Sequence, residues 1–155
     1  MVRLLVSPGR GPGVNPPATT GGLVTGNGHR AFGLYAHVTW HTWRWVAQLR
    51  KRDVPIIAES ILNAASRAGV RVHAQAVLSD HVHVLVSFPP QVALASFFRE
   101  AKSESARRVN AARGNGDRVR WCRGYYAGSL SRDHVYATRV YIARQFQRHP
   151  DRIPL

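Results

Sequence analysis

At 155 residues the chain is long enough for one domain to bury ~70% of the surface its unfolded form exposes, so neither disulfides nor a structural metal is required for folding. A single cysteine, Cys122, excludes an internal disulfide and a paired-thiol zinc site and suits a reducing cytoplasm, while no stretch approaches the ~20 apolar residues of a membrane span and the N-terminus lacks the order of a signal peptide. Lys plus Arg number 22 against 8 Asp plus Glu, a formal charge of +14, and only Lys51 and Lys102 are lysine. Arginine matches phosphate geometry and stacks on bases, so the balance favours a nucleic-acid partner. A membrane surface fits less well, because the basic residues are spread over several elements and not gathered on one amphipathic helix.

In chain order, residues 1–29 hold Pro8-Gly9, Gly11-Pro12-Gly13 and Pro16-Pro17 without periodicity and read as a flexible Gly/Pro-rich arm. A folded domain over 30–150 and a short tail, 151–155, follow. A first strand is expected over Ala31 to Trp40. A helix then opens at Asp53 as cap, with Pro55 in its first turn, and ends at Gly69. Val70 to Leu78 and His81 to Phe88 form a hairpin through Ser79-Asp80. After Pro89-Pro90 a second helix runs from about Gln91 to Arg113, with Phe97 and Phe98 inward, and Gly114-Asn115-Gly116 ends it. Val119 to Ala127 is expected as the fourth strand, and Ser131 as the cap of a last helix from Asp133 to Arg148. The order strand, helix, strand, strand, helix, strand, helix predicts an α+β, ferredoxin-like split βαβ arrangement: an antiparallel sheet with helices mainly on one face and an additional C-terminal helix carrying Tyr141. Such a fold implies no activity by itself.

The chemistry-bearing residues fall in two places. In the strand His81 to Phe88, Val82, Val84 and Val86 share one face, which sends His81, His83 and Leu85 to the other. Two imidazoles side by side can hold one divalent ion but leave it under-coordinated, and Gln145 is a candidate third donor. A half-buried strand carries such a His pair without any metal just as readily. On the last helix Val135, Ile142 and Phe146 form the expected core stripe, with Tyr141 and Gln145 one turn apart on its flank. A tyrosine there equally serves to cover the edge of a core. Asp80 is expected to alternate to the face opposite the histidines, which counts against an ordinary metallohydrolase. Tyr125, Tyr126 and Tyr136 are rival nucleophiles; one of the adjacent pair is expected to be buried and the other exposed, and Tyr136 lacks a glutamine four residues on.

Three segments, Asp80-His81-Val82-His83-Val84-Leu85-Val86, Trp121-Cys122-Arg123-Gly124-Tyr125-Tyr126 and Tyr141-Ile142-Ala143-Arg144-Gln145, resemble in order and spacing the motifs of the single-tyrosine HUH transposases. That class covers bacterial insertion-sequence transposases and REP-associated tyrosine transposases, and the likeness spans residues of about 31 to 149. The resemblance implies metal ligation by His81, His83 and Gln145, with Mg²⁺ or Mn²⁺ as the ion. It implies Tyr141 as the nucleophile that cuts and rejoins single-stranded DNA at hairpin-containing element ends through a 5′-phosphotyrosine link, in a homodimer. Candidate single-strand contacts are Arg99, Lys102, Arg120, Trp121 and Arg123, each of which could instead be a solvated arginine or a core tryptophan. Two other readings stay open: a domesticated module that binds structured DNA without cutting, and an HUH nicking enzyme of replication-initiator or relaxase type. The N-terminal arm is longer than the family's usual start.

Overall fold

The computed structural model describes residues 33–155; the expected arm, residues 1–29, lies outside the described residues. Four strands, β1 (Leu34–His41), β2 (Arg71–Val77), β3 (His81–Phe88) and β4 (Tyr126–Leu130), form one antiparallel sheet in the order β2-β3-β1-β4. With helices α1 (Val54–Ala68) and α2 (Leu94–Arg113) between them, this is the ferredoxin-like order that the sequence implies.

Period-two alternation decides which residues meet. On β1 and β3, Ala36, Val38, Trp40, Val82, Val84 and Val86 turn to one face and pack against Ile57, Ile61 and Ala64 of α1 and Phe97, Phe98 and Ala101 of α2. This is the main core. The opposite face carries a smaller cluster, Ala74, Ala76, Leu78 and Leu85, closed by Ile142 of helix α3 (Val135–Ala143) with Val135, Tyr141 and Phe146 partly buried around it. In β2 the pairing slips between Val72 and Ala74, leaving His73 as the extra residue. The slip lets Val72 join the main core while Ala74 and Ala76 face α3, where small side chains admit the helix.

Helix α1 ends as expected: Gly69 is left-handed at φ 69° and the Val70 N–H donates to the Ala65 carbonyl at 2.9 Å, closing the C-terminus. Its start differs. Asp53 does not cap α1; its carboxylate accepts from the Arg50 N–H at 2.7 Å and pairs with Arg113 at the end of α2, both side chains almost fully buried. Helix α2 begins at Leu94, three residues later than expected, after a turn in which Val92 N–H donates to the Pro89 carbonyl.

The fourth strand is displaced. Residues 119–122 run beside the end of β1, with a single bridge between Thr42 and Trp121, and regular pairing starts only at Tyr126. The reason lies on α2: the Lys102 ammonium donates to the carbonyls of Cys122, Arg123 and Gly124 at 2.5, 3.0 and 3.0 Å, so those groups are satisfied without a ladder. Tyr125 and Tyr126 are both exposed, against the expected split, because Tyr125 precedes the strand.

The last helix is also interrupted. A 3₁₀ turn, Arg132–His134, precedes α3, and Arg144, at φ −95° and ψ 8°, separates α3 from a short α4 (Gln145–Arg148). The Tyr141 carbonyl that a continuous helix would give to the Gln145 N–H instead accepts from the Arg144 N–H at 3.2 Å and the Gln145 side-chain Nε2 at 3.0 Å. Ser131 precedes the 3₁₀ turn but makes no backbone cap; its hydroxyl lies 2.6 Å from His134 Nδ1. Among the described residues no helix is long and apolar enough to cross a membrane.

Candidate active site

The face of the sheet opposite α1 and α2 gathers four histidines. Strand β1 contributes His37 and His41, whose period-two spacing puts them on the same side as His81 and His83 of β3; His41 lies opposite His81 in the register, and His37 is the diagonal neighbour of His83. Tyr141 comes in from α3. Its ring meets those of His37 and His83 edge-on, each at 5.8 Å between centroids, and the Arg148 guanidinium lies over it at 5.1 Å.

The nitrogens of the two β3 histidines converge, His81 Nε2 and His83 Nε2 being 3.0 Å apart. Their other nitrogens are spoken for. His81 Nδ1 lies 2.6 Å from Asp80 Oδ1, and a carboxylate only accepts, so the proton sits on Nδ1 and the neutral ring presents a bare Nε2. Asp80 is itself buried and paired with Arg152 through its second oxygen. His83 Nδ1 lies 3.0 Å from His37 Nε2. If the His83 Nδ1 proton is donated to His37, the second Nε2 is bare as well.

Asp80 is therefore beside the histidines and not across the sheet from them. It belongs to the hairpin turn, where strand alternation does not yet apply, and this corrects the expectation from the sequence.

Gln145 is fully buried. Its amide Nε2 donates to the Tyr141 carbonyl, and its Oε1 has no hydrogen-bond partner. A buried, unpartnered acceptor is costly by itself, on the order of 1–3 kcal/mol, and is the kind of atom a cation relieves. Among the described residues no three His, Cys, Asp or Glu side chains are arranged to hold a metal ion, so a third protein ligand beside His81 and His83 would have to be of another type.

Burial sets the protonation of this face. The His83 pKa is pushed down to about 3, first by burial and then by His81, His37, His149 and His41; burial also lowers His37, and lowers His41 with help from His81. On the sheet's far end His73 is lowered by burial and by Arg71 and Arg139. The folded values lie below the ordinary 6.5, so on acidification the unfolded chain takes up protons that the folded chain refuses. Stability is thus present above about pH 6.5 and lost as the pH falls toward the folded values, each group adding a slope of at most about 1.4 kcal/mol per pH unit. Urea unfolding of metal-free protein should show a falling midpoint between about pH 7 and 5, above most carboxylate titration. A flat profile would contradict neutral buried imidazoles.

The candidate DNA-contacting residues divide. Arg99, Lys102, Trp121 and Arg123 line one shallow cleft of about 440 Å³, bounded by Ala95 and Tyr125, on the α2 side. Two of them have structural work there: Lys102 holds the three carbonyls and Trp121 donates its Nε1–H to Ser105 Oγ at 3.1 Å while packing edge-on against Trp40. Arg120 is elsewhere, over the ring of Trp43 at 4.6 Å. Of the rival tyrosines, Tyr136 is 76% exposed and away from the histidines' ring contacts, and Tyr125 packs on Phe98.

Reasoning from the sequence did not single out His37, Arg148 or Arg152, and it placed Asp80 on the wrong face. The first was visible, since Tyr35, His37, Thr39 and His41 repeat at period two on β1; the arginines come from the C-terminal segment and carry no local signal.

Several solved structures share the fold, among them the following two. One, assigned as a transposase from Deinococcus radiodurans R1, is 23% identical with a TM-score of 0.59, over 79% of this chain and 98% of that one. The other, a REP-associated tyrosine transposase bound to a REP hairpin, is 15% identical with a TM-score of 0.63, over 82% of this chain and 74% of that one. No curated protein sequence matches. The family model described as "Transposase IS200 like" matches residues 30–145, three quarters of the chain, and takes in β1 through Gln145. The chain belongs to the IS200-like transposase family.

Proposed function

We propose that this protein cuts and rejoins single-stranded DNA through a covalent 5′-phosphotyrosine intermediate, with Tyr141 as nucleophile and a divalent ion at His81, His83 and Gln145. The observation that carries the reading is the convergence of His81 Nε2 and His83 Nε2, 3.0 Å apart, beside the Tyr141 ring. The residues fit an ion: Asp80 leaves His81 Nε2 bare, His83 stays neutral at physiological pH, and the orphaned Gln145 Oε1 supplies an oxygen. A bound Mg²⁺ or Mn²⁺ would polarise the phosphate and stabilise charge on the leaving oxygen.

The chain's own groups account for the rest. The Tyr141 oxygen attacks phosphorus and forms the new O–P bond as its proton passes to water. The P–O3′ bond breaks with its electron pair on O3′, which takes a proton from water to become a 3′-hydroxyl that can later reverse the step on another end. The Arg148 guanidinium over the ring helps to hold Tyr141 beside the histidines. We include a homodimer in the proposal; within one copy the Tyr141 ring lies beside that of His83.

DNA as substrate is supported by the +14 charge and by the hairpin bound to the 15%-identical neighbour. The test is incubation of the protein with labelled single-stranded DNA from sequences flanking its gene, with Mn²⁺ or with chelator. A denaturation-resistant, metal-dependent adduct is expected. Tight, salt-sensitive binding with no adduct, while a relative's substrate reacts with that relative in parallel, would replace the transferase reading with a binding module.

If Asp80 orients His81, Asp80→Asn should weaken Mn²⁺ binding about 10- to 100-fold by electron paramagnetic resonance titration. Unchanged affinity in a folded Asp80→Asn protein would remove Asp80 from the site.

A further inference from the structure

Next to the histidine face, two residues shortly after β1 depart from ordinary backbone geometry. Arg44 and Trp45 are consecutive non-glycine residues with φ of 58° and 61°, a conformation that bulky side chains rarely adopt. Their neighbours hold them there: the buried Thr42 donates its N–H to the Asp80 carbonyl and its hydroxyl to the Val46 carbonyl, and Trp43 N–H donates to the Arg120 carbonyl. The result is a tryptophan that is 63% exposed yet fixed.

One face of the Trp45 ring lies on His41 at 3.7 Å between centroids, with 25° between planes; His41 in turn stacks on His81 at 5.1 Å and 26°. Three rings thus form a column that starts in solvent and ends at one of the converging imidazoles. Trp43 differs, since Arg120 covers its ring.

We propose that the open face of Trp45, backed by His41, is a stacking platform for an unpaired base flanking the phosphate that sits at His81 and His83. This rests on the DNA reading above and deepens it. An unpaired base is the occupant that fits: it is flat, it presents a π-face whatever its identity, and it is joined to the phosphates that the basic surface attracts. Paired bases inside a duplex cannot offer a face to the ring.

The experiment uses the full chain in chelator, so that no cutting contributes. Binding of a short labelled oligothymidine and of a blunt duplex is compared for wild type, Trp45→Ala and Trp45→Phe. Expected are a loss of about 5- to 100-fold for oligothymidine in Trp45→Ala, near-complete recovery in Trp45→Phe, little change for duplex, and an unchanged salt slope, because no charge is removed. Should Trp45→Ala fold poorly, tryptophan fluorescence decides: oligothymidine should quench wild type more than Trp45→Phe. Equal affinities, equal quenching, or a parallel loss for duplex would overturn the platform, and so would a change confined to self-association. The two readings fail separately. An adduct with a Trp45-independent affinity sinks only the platform, and Trp45-dependent binding without an adduct sinks only the chemistry.

Discussion

Tyr141→Phe is expected to lower formation of the covalent DNA adduct by about four orders of magnitude or more, while metal and DNA binding persist. The substitution removes one oxygen and keeps the ring, so the contacts to His37, His83 and Arg148 remain. Of the rival tyrosines, Tyr136 is exposed and Tyr125 packs on Phe98, and neither ring is in contact with the histidines. A quenched gel assay with Mn²⁺ measures the adduct, with Tyr136→Phe as the matched control that should react normally. An adduct of wild-type yield in Tyr141→Phe would assign the nucleophile to another residue.

The second large effect is on folding. Asp53→Ala should reduce unfolding free energy by roughly 3–5 kcal/mol, because it leaves the Arg113 guanidinium charged in a buried place. The Asp53 and Arg113 side chains are 1% and 2% exposed, and Arg113 also donates to the Gln48 and Asp117 carbonyls at 2.6 and 2.8 Å. These contacts tie the end of α2 to the turn that introduces α1. By contrast, Arg50 and Asp117 pair at 2.8 Å with side chains 41% and 87% exposed, and Asp117→Ala should cost at most about 1 kcal/mol. Urea midpoints with unchanged m-values would measure both. Near-equal effects of the two substitutions would mean that the buried pair is hydrated in solution. Adding Arg113→Met to Asp53→Ala should restore part of the loss.

What could be read in advance was what short-range chemistry decides. Gly69 and Pro55 bound α1, and the alternation of β3 divides its valines from His81 and His83, because those signals act within a few residues. The displaced β4 was not legible. It depends on Lys102 reaching carbonyls about twenty positions away, and a lysine on a helix surface looks the same whether or not it does so. The break at Arg144 has no glycine or proline to announce it; it follows from where the Gln145 amide bonds. For the candidate site, the pairing of His81 and His83 on one strand face was legible from alternation, whereas the neighbouring groups Asp80 and His37 required the turn and the sheet register to be known.

The main core and the histidine face occupy opposite sides of one sheet, and their packing is unequal. The side shared with α1 and α2 holds most of the buried apolar residues, while α3 is retained by one fully buried side chain, Ile142, over two alanines and two leucines. Global melting therefore reports almost entirely on the side packed against α1 and α2. A variant can keep the native midpoint with its tyrosine helix detached for much of the time, and amide exchange in α3, faster than in α1 or α2, is the observable that would reveal it.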